Sequence, residues 1–341
     1  MDRHPNIYHC PVAANNGRKA LVRLIVPVYN AEEYLEECLN SIRIQSFTDF
    51  AVLIVDDGST DDSAEIADRL CRKDFRFQLV CTPNRGVSAA RNLGIDSATE
   101  KYIGFVDADD CLHPRALEML VKVLAKHNAQ VAVGKFVRGV TNPFLKLSPE
   151  DCGTGAPVEV FGYEEAMRQA LYQKRIINSP WGMLMERRLL DADCRFREHI
   201  RYEDLDAFYR FYEKAAAIVY LHEPVYFYRQ VESSFMHRWS RDRLDALDVT
   251  DRMLSFMEER YPSLVPAARE RRFSAHFNMF LTLLRYNVGD DESVRRCWKV
   301  ICQQRRHELS DPDVRLKNKL GALLSYLGRK PFVVLSLLYR K

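Results

Sequence analysis

The run Tyr102-Ile103-Gly104-Phe105-Val106-Asp107-Ala108-Asp109-Asp110 passes from apolar to acidic in a single step. Tyr102 to Val106 is short, apolar and rich in β-branched and aromatic residues, the composition of a strand buried in a parallel sheet. Three carboxylates then fall within four positions. In an open α/β sheet, ligands bind at the carboxyl ends of the strands. Acids gathered there are costly to bury unless positive charge offsets them. A hard divalent cation holding a phosphorylated ligand meets that need, because such ions take oxygen donors. Asp-x-Asp alone is a weak signal: acids after strands also serve turns and helix caps, and Asp110 followed by His113 and Pro114 suits that plainer role.

Working outward, three further strand-then-helix units precede this one. Leu21 to Val28 is a strand; Tyr29-Asn30 leads into a helix with an apolar stripe of Leu35, Cys38, Leu39 and Ile42, and Asn30 with Glu33 has the form of a capping box. Ala51 to Val55 is a second strand, followed by Asp56-Asp57-Gly58-Ser59-Thr60-Asp61 and a helix from Ala64. Phe77 to Val80 is a third, followed by Thr82-Pro83-Asn84-Arg85-Gly86 and a helix carrying Arg91 and Asn92. Four strands alternating with helices across short loops predict a parallel sheet with right-handed crossovers. Polar residues collect at the same end of every strand.

Beyond the acids, Pro114 opens a helix and Gln130 to Val137 reads as a strand, after which regular signals fade between Arg138 and Val160. Glu164 to Gln173 is helical, Trp181 to Leu190 is apolar and mixed, and a second acid pair lies in Arg201-Tyr202-Glu203-Asp204-Leu205. Leu205, Phe208, Tyr209 and Tyr212 are spaced as one helix face, so Glu203 and Asp204 fall in its first turn, where the helix N-terminus stabilises carboxylates with or without a further role. Ala217 to Leu221 and Pro224 to Tyr228 read as two more strands. From Arg241 onward the pattern is helical, and the last helix places Leu316, Leu320, Leu323, Leu324 and Leu327 on one face before Pro331 interrupts it. The organisation predicted is a loose arm over 1–20, an α/β domain over 21–240 and a helical region over 241–341.

The bulk properties suit a globular chain. At 341 residues and 47% hydrophobic it has ample material for a core, and a formal charge of +3 gives no reason to infer a nucleic-acid partner. Nine cysteines without a Cys-x-x-Cys pair, some (Cys38, Cys81) inside apolar segments, predict buried free thiols in a reducing cytoplasm. No apolar run approaches the ~20 residues of a membrane span.

Taken together, Ile25-Val26-Pro27-Val28-Tyr29-Asn30, Val55-Asp56-Asp57-Gly58-Ser59-Thr60-Asp61, Asn84-Arg85-Gly86, Ala90-Arg91-Asn92, Asp107-Ala108-Asp109 and Glu203-Asp204 resemble, in order and spacing, the family 2 glycosyltransferases of bacterial surface-polysaccharide type. The resemblance covers residues 21 to 240 and implies the GT-A fold, an α/β Rossmann-like architecture with a mostly parallel sheet flanked by helices, here with a C-terminal helical extension. It implies that Pro27 and Tyr29 border the nucleotide base, that Asp57 accepts from a uracil-like imide, and that Asn84 and Arg91 complete that pocket. Asp107 is expected against ribose and metal, and Asp109 is expected to ligate Mg2+ or Mn2+ on the diphosphate. Glu203-Asp204 matches the family's acid pair, with Asp204 the base that activates the acceptor hydroxyl and Glu203 orienting it or binding acceptor. Trp181 resembles an acceptor-side residue, although the Lys that often follows two positions later is Met183 here.

The activity so implied is an inverting, metal-dependent transfer of a sugar from a nucleoside diphosphate, UDP in the first instance, to a hydroxyl of a glycan or lipid-linked oligosaccharide. The alternatives are a homologue that binds the nucleotide sugar without turnover, and a receiver-like signalling domain, which also keeps acids at strand ends. After Asp313 the chain holds Lys and Arg but no acid. That excess, with the leucines, leads us to expect peripheral association with the anionic inner leaflet, against the plainer reading of a helical cap on the core.

Overall fold

A computed structural model describes residues 19–147, 155–231, 239–288 and 290–338, with backbone alone for 334–338. Most of the predicted N-terminal arm and the final Tyr339, Arg340 and Lys341 lie outside the described residues. The chain divides into two compact units: Met1–Tyr163, Asn178–His199 and Ala207–Glu232 form the first, and Glu164–Ile177, Ile200–Asp206 and Ser233–Lys341 the second.

Among the described residues, the first unit is built on nine strands. β1 (Val22–Val28), β2 (Phe50–Asp56), β3 (Phe77–Cys81) and β4 (Tyr102–Phe105) alternate with α1 (Glu32–Arg43), α2 (Ser63–Cys71) and α3 (Val87–Ser97). β1 pairs in parallel with β2 and β4, and β2 with β3. Every residue of β1 is buried, as a central strand covered on both faces requires. Its one charged member, Arg23, is matched by Glu100 at 2.6 Å.

The remainder follows as β5 (Cys111–Leu112), α4 (Ala116–His127), β6 (Val131–Gly139), β7 (Val158–Phe161), β8 (Met183–Glu186) and β9 (Ile218–Arg229). The strand order is β3-β2-β1-β4-β8-β6-β9-β5, with β7 also on β9. Strands β1, β2, β3, β4, β6 and β9 run one way and β5, β7 and β8 the other, so the sheet is mostly parallel, as predicted.

Two local readings are corrected. The segments on either side of Pro224 are one strand, β9, because its pairing with β6 shifts register around Lys135 and Pro224; the irregularity accommodates a residue with no amide hydrogen. Asn30 and Glu33 form no capping box. Asn30 lies in the left-handed region (φ 47°), which Asn tolerates, and α1 is capped from the neighbouring loop. Ala31 N–H donates to Ser63 Oγ at 2.9 Å and Glu32 N–H to Asp61 Oδ2 at 3.1 Å. In return the Glu32 carboxylate accepts from Asp62 N–H at 2.9 Å, and the Asn30 side chain from Thr60 N–H at 2.8 Å. The β1–α1 and β2–α2 loops therefore hold each other.

The second unit is helical: α5 (Tyr163–Leu171) from its second residue, the first turn of α6 (Glu203–Tyr212), then α7 (Asp245–Arg260), α8 (Val265–Arg285), α9 (Asp291–Ser310), α10 (Leu316–Leu324) and α11 (Arg329–Leu338). Phe332 anchors α11 against Phe280 and Trp298, at ring distances of 5.6 and 5.2 Å. The expected interruption at Pro331 falls instead at Gly328, whose φ of 91° suits glycine, and Pro331 lies in the first turn of α11, where its missing N–H is no loss.

Buried in this unit are two acids on α8 and α9. Glu270 accepts from Arg315 at 3.1 Å and Asn318 at 2.7 Å, whereas neither carboxylate oxygen of Glu308 has a hydrogen-bond partner among the described residues. Burial, reinforced by Glu270 and Asp311, pushes Glu308 up to about 8. A carboxyl raised on folding stabilises the fold below its ordinary pKa, and that contribution is lost as pH rises through the folded value. The unfolding midpoint is therefore expected to fall as pH rises from about 5 to about 8, between the ordinary carboxyl value and the shifted one, and Glu308→Gln should flatten that fall; equal slopes in thermal melts of the two proteins would refute the assignment.

Candidate active site

The site grows from the carboxyl end of β4. After Phe105 the side chains alternate in environment: Asp107 and Asp109 are partly exposed, while Ala108 and Asp110 are buried. Asp107 is held on two sides. Arg91, buried on α3, donates from Nη2 to its Oδ1 at 2.9 Å, and its own N–H donates to the Tyr226 hydroxyl at 3.1 Å. That hydroxyl donates in turn to Asp110 Oδ2 at 2.8 Å, and Asp110 Oδ1 accepts from Arg229 N–H at 2.8 Å. Asp110 is fully buried, and burial together with Asp109 and Asp107 pushes it up to about 9. Its two accepted bonds tie the third acid, and with it the acid run, to β9, while Asp107 and Asp109 are left as the accessible pair.

Arg229 completes this support. Its Nε donates to the Asp109 carbonyl at 2.8 Å, Nη1 to the Val140 carbonyl at 3.2 Å and Nη2 to Glu37 at 2.8 Å. The backbone of Asp109 is thereby fixed, but its carboxylate accepts no hydrogen bond from another described residue; burial and Asp107 raise it to about 6. Two neighbouring carboxylates, one of them short of a partner, are an all-oxygen donor set that fits a hard divalent cation. Among the described residues no group of three or more His, Cys, Asp or Glu side chains is arranged to hold a metal. The protein would thus contribute Asp107 and Asp109, with phosphate and water oxygens as the remaining donors, the usual situation for Mg2+ on a nucleotide.

The nucleotide-side candidates sit at the ends of β1, β2 and β3. Pro27 is buried in β1, and Tyr29 is 53% exposed just beyond it. Asp57 is buried and holds the next loop: its two oxygens accept from Arg85 N–H at 2.9 Å and Gly86 N–H at 2.7 Å. Oδ1 also accepts from the Thr82 hydroxyl at 3.4 Å, so it is Oδ2 that keeps a second lone pair for a ligand. Asp56, beside it, caps the turn by accepting from Ser59 N–H at 3.3 Å. Asn84 is exposed on the loop that Asp57 fixes. Arg91 turns toward Asp107, so it links the base-side helix to the acid run.

Trp181 is 7% exposed and stacks on Tyr226 and Tyr228 at 4.6 and 5.3 Å between ring centroids. Met183, where a lysine was looked for, is buried and accepts from the Tyr212 hydroxyl at 3.2 Å. In the helical unit, Glu203 and Asp204 open α6 as expected, partly exposed. Asp204 Oδ1 accepts from Leu205 N–H at 2.7 Å, and the carboxylate lies within electrostatic reach of Arg271 on α8.

In the sequence Tyr226, Tyr228 and Arg229 match a segment common in the family, with the tyrosines read as packing, and Asp110 reads as a turn or cap residue; that the Tyr226 hydroxyl and Arg229 hold the acid run, with Asp110 turned inward, is visible only in the structure. Tyr226 lies 119 residues from Asp107 in the chain. Only the pairing of Leu112 in β5 with Tyr226 in β9 brings the two together, and nothing local in either segment announces it.

A Rossmann-like sheet, βα loops laced at its carboxyl edge and an accessible acid pair define a GT-A type of protein. Residues 24–194 match the family described as Glycosyl transferase family 2. The chain is 30% identical over 236 residues to glycosyltransferase GlyG of Streptococcus pneumoniae, covering 65% of this chain and 76% of GlyG. It is 31% identical over 216 residues to the glycosyltransferase EpsJ of Bacillus subtilis, covering 63% and 62%. Among solved structures, S. aureus TarS 1–349 in complex with UDP-GlcNAc superimposes with a TM-score of 0.64 at 21% identity, covering 90% of this chain and 91% of that one. A Pyrobaculum calidifontis mannosyltransferase in complex with GDP-Man and Mn2+ gives 0.52 at 16%, covering 94% and 84%; at these identities the likeness is one of fold. The chain belongs to glycosyl transferase family 2, and it is a glycosyltransferase with the GT-A fold.

Asp57→Ala should remove the acceptor of two loop amides and destabilise the protein by about 1–2 kcal/mol. Asp57→Asn, which retains one oxygen, should lose about half as much. Urea unfolding of the three proteins tests this, and an Asp57→Ala variant as stable as the parent would show that the loop does not depend on the carboxylate.

Proposed function

We propose that this glycosyltransferase inverts the anomeric centre while moving a sugar from a nucleoside diphosphate, UDP in the first instance, to a hydroxyl of a lipid-linked glycan in surface-polysaccharide assembly. The observation that carries the reading is the accessible Asp107–Asp109 pair at the end of β4, held from behind by Arg91, Tyr226 and Arg229. A family 2 fold supports a nucleotide-sugar donor, and two of its structural neighbours are described with UDP-GlcNAc and with GDP-Man and Mn2+.

In this reading Asp57 and the loop amides it orders face the base, Tyr29 and Asn84 border it, and Pro27 lines the floor beneath. Asp107 and Asp109 would hold Mn2+ or Mg2+ against the diphosphate. Such an ion neutralises charge on the departing diphosphate. Arg91 holds Asp107 oriented for that role through the 2.9 Å contact of its guanidinium. Asp204 accepts the proton of the acceptor hydroxyl, Glu203 orients it or the acceptor, and Arg271 biases the approach of charged groups to Asp204. Trp181, with its tyrosine stack, supplies an apolar platform on the acceptor side.

The discriminating experiment pairs donor binding with turnover. A panel of nucleotide sugars is screened by thermal shift with and without Mn2+, and the binder is assayed for transfer or hydrolysis. Asp109→Ala should abolish the metal-dependent part of both. Asp204→Asn should keep donor affinity while transfer drops by about a hundred- to ten-thousand-fold, the usual contribution of a positioned base. Near-normal kcat in Asp204→Asn would remove the base from Asp204. Metal-dependent binding with no turnover on any acceptor would favour the second reading, a nucleotide-sugar-binding homologue.

A further inference from the structure

Helix α10 and the turn that continues it, Ser325–Leu327, are inverted relative to an ordinary surface helix. The face turned into the helical unit carries Asn318, Gly321, Ala322 and Ser325, all buried. The opposite face carries Leu316, Leu320, Leu323 and Leu327, which are 73%, 40%, 55% and 57% exposed. Those four recur at the i, i+4, i+7, i+11 spacing of a single helical stripe about 17 Å long.

The inversion is enforced from inside. A Cβ on Gly321 would come within 2.6 Å of the Phe277 ring, so the helix seats closely only with this small residue inward. Asn318 donates to buried Glu270 at 2.7 Å, and the Ser325 hydroxyl donates to the Ala322 carbonyl at 2.6 Å. Rolling the leucines inward would drive a large side chain into Phe277 and strip Glu270 of a donor.

From Val314 on, the charges carried by the chain have one sign. At 100° per residue Lys317 and Lys319 fall on its two flanks; Lys317 donates to the neutral Asn278 side chain and Lys319 to the Pro312 carbonyl. Arg329 and Lys330 follow, both exposed. From Val314 to Lys341 the sequence contains seven Lys and Arg and no Asp or Glu. Arg315 is committed inward, to the carboxylate of Glu270.

A second copy of the chain, docked stripe to stripe, would bring lysine against lysine on both flanks, which like-charge repulsion opposes. A surface that is apolar in depth and negative at its rim matches both features at once. No helix among the described residues is long and apolar enough to cross a membrane. We propose that the outer face of α10 is a docking surface for an anionic lipid bilayer. The helix lies in the plane of the interface, with Leu316, Leu320, Leu323 and Leu327 at the acyl boundary and Lys317, Lys319, Arg329 and Lys330 among the headgroups. The proposal requires neither donor nor turnover, so its outcome is separate from that of the transfer reaction.

Co-sedimentation of the full chain with phosphatidylcholine vesicles, with and without phosphatidylglycerol, tests it. Binding is expected on the anionic vesicles and weakened by salt. Replacing Lys317 and Lys319 by Gln should cost about fivefold in affinity per residue. Leu320→Glu and Leu323→Glu, at exposed positions, should each cost about tenfold or more. Unchanged circular dichroism and melting temperature would establish that the variants fold. No binding to anionic vesicles, equal binding to neutral ones, or indifference to the leucine substitutions would overturn the proposal. So would a dimer that the same substitutions dissociate, if vesicle binding is absent.

Discussion

Like charges crowded at the edge of a sheet repel one another, and the arrangement of the first unit answers that constraint. Asp107, Asp109 and Asp110 differ in their surroundings, which is what allows three acids to coexist. Asp110 is buried, its carboxyl pushed up by burial and by the neighbouring acids, and it accepts from the Tyr226 hydroxyl and from Arg229 N–H. Asp107 stays beside the Arg91 guanidinium. Asp109 alone is left short of a partner, with its backbone held by Arg229. One acid is committed to structure, one is paired with a guanidinium and one has its backbone held while its carboxylate faces outward, so the pair facing solvent is positioned from behind.

The same economy extends along the sheet edge. Loops at strand ends are ordinarily the loosest parts of a domain, yet here Ser63 and Asp61 cap α1, Glu32 holds Asp62 N–H, and Asp57 gathers the amides of Arg85 and Gly86. Three loops that would otherwise move independently are tied by side-chain to backbone bonds. A nucleotide arriving at such an edge meets formed surfaces and loses less entropy in ordering them. The aromatic stack of Trp181 on Tyr226 and Tyr228 does for the far side of the acids what these bonds do for the near side.

The helical unit obeys a different logic. Its core of Phe273, Phe277, Phe280 and Phe332 is an ordinary apolar cluster, but it encloses Glu270 and Glu308 and seats α10 by its small and polar face. Leucines at helical spacing usually mark the side of a helix that meets protein. On α10, Leu316, Leu320 and Leu323 mark the side that does not, while Leu324 packs on the core, because Gly321 and Asn318 satisfy the inner contacts first.

The order of strands and helices, the burial of β1 and β4 and the placing of Asp57, Asp107, Asp109 and Asp204 at element ends were all legible in the sequence, because each depends on patterns within a dozen residues. Family membership was legible for the same reason: it is written in short motifs. What the sequence by itself left open were the partners of those groups. Whether Asn30 capped its own helix or the next loop, whether Pro224 ended a strand or sat in an irregular one, and which way the α10 leucines faced depend on contacts between residues tens to hundreds of positions apart. Tyr226 reaches Asp107 because the sheet lays β9 beside β5, and Leu316, Leu320 and Leu323 of α10 face outward because Phe277 leaves no room for anything larger than Gly321 beneath them. Periodicity reports that a face is apolar; only packing decides what that face meets.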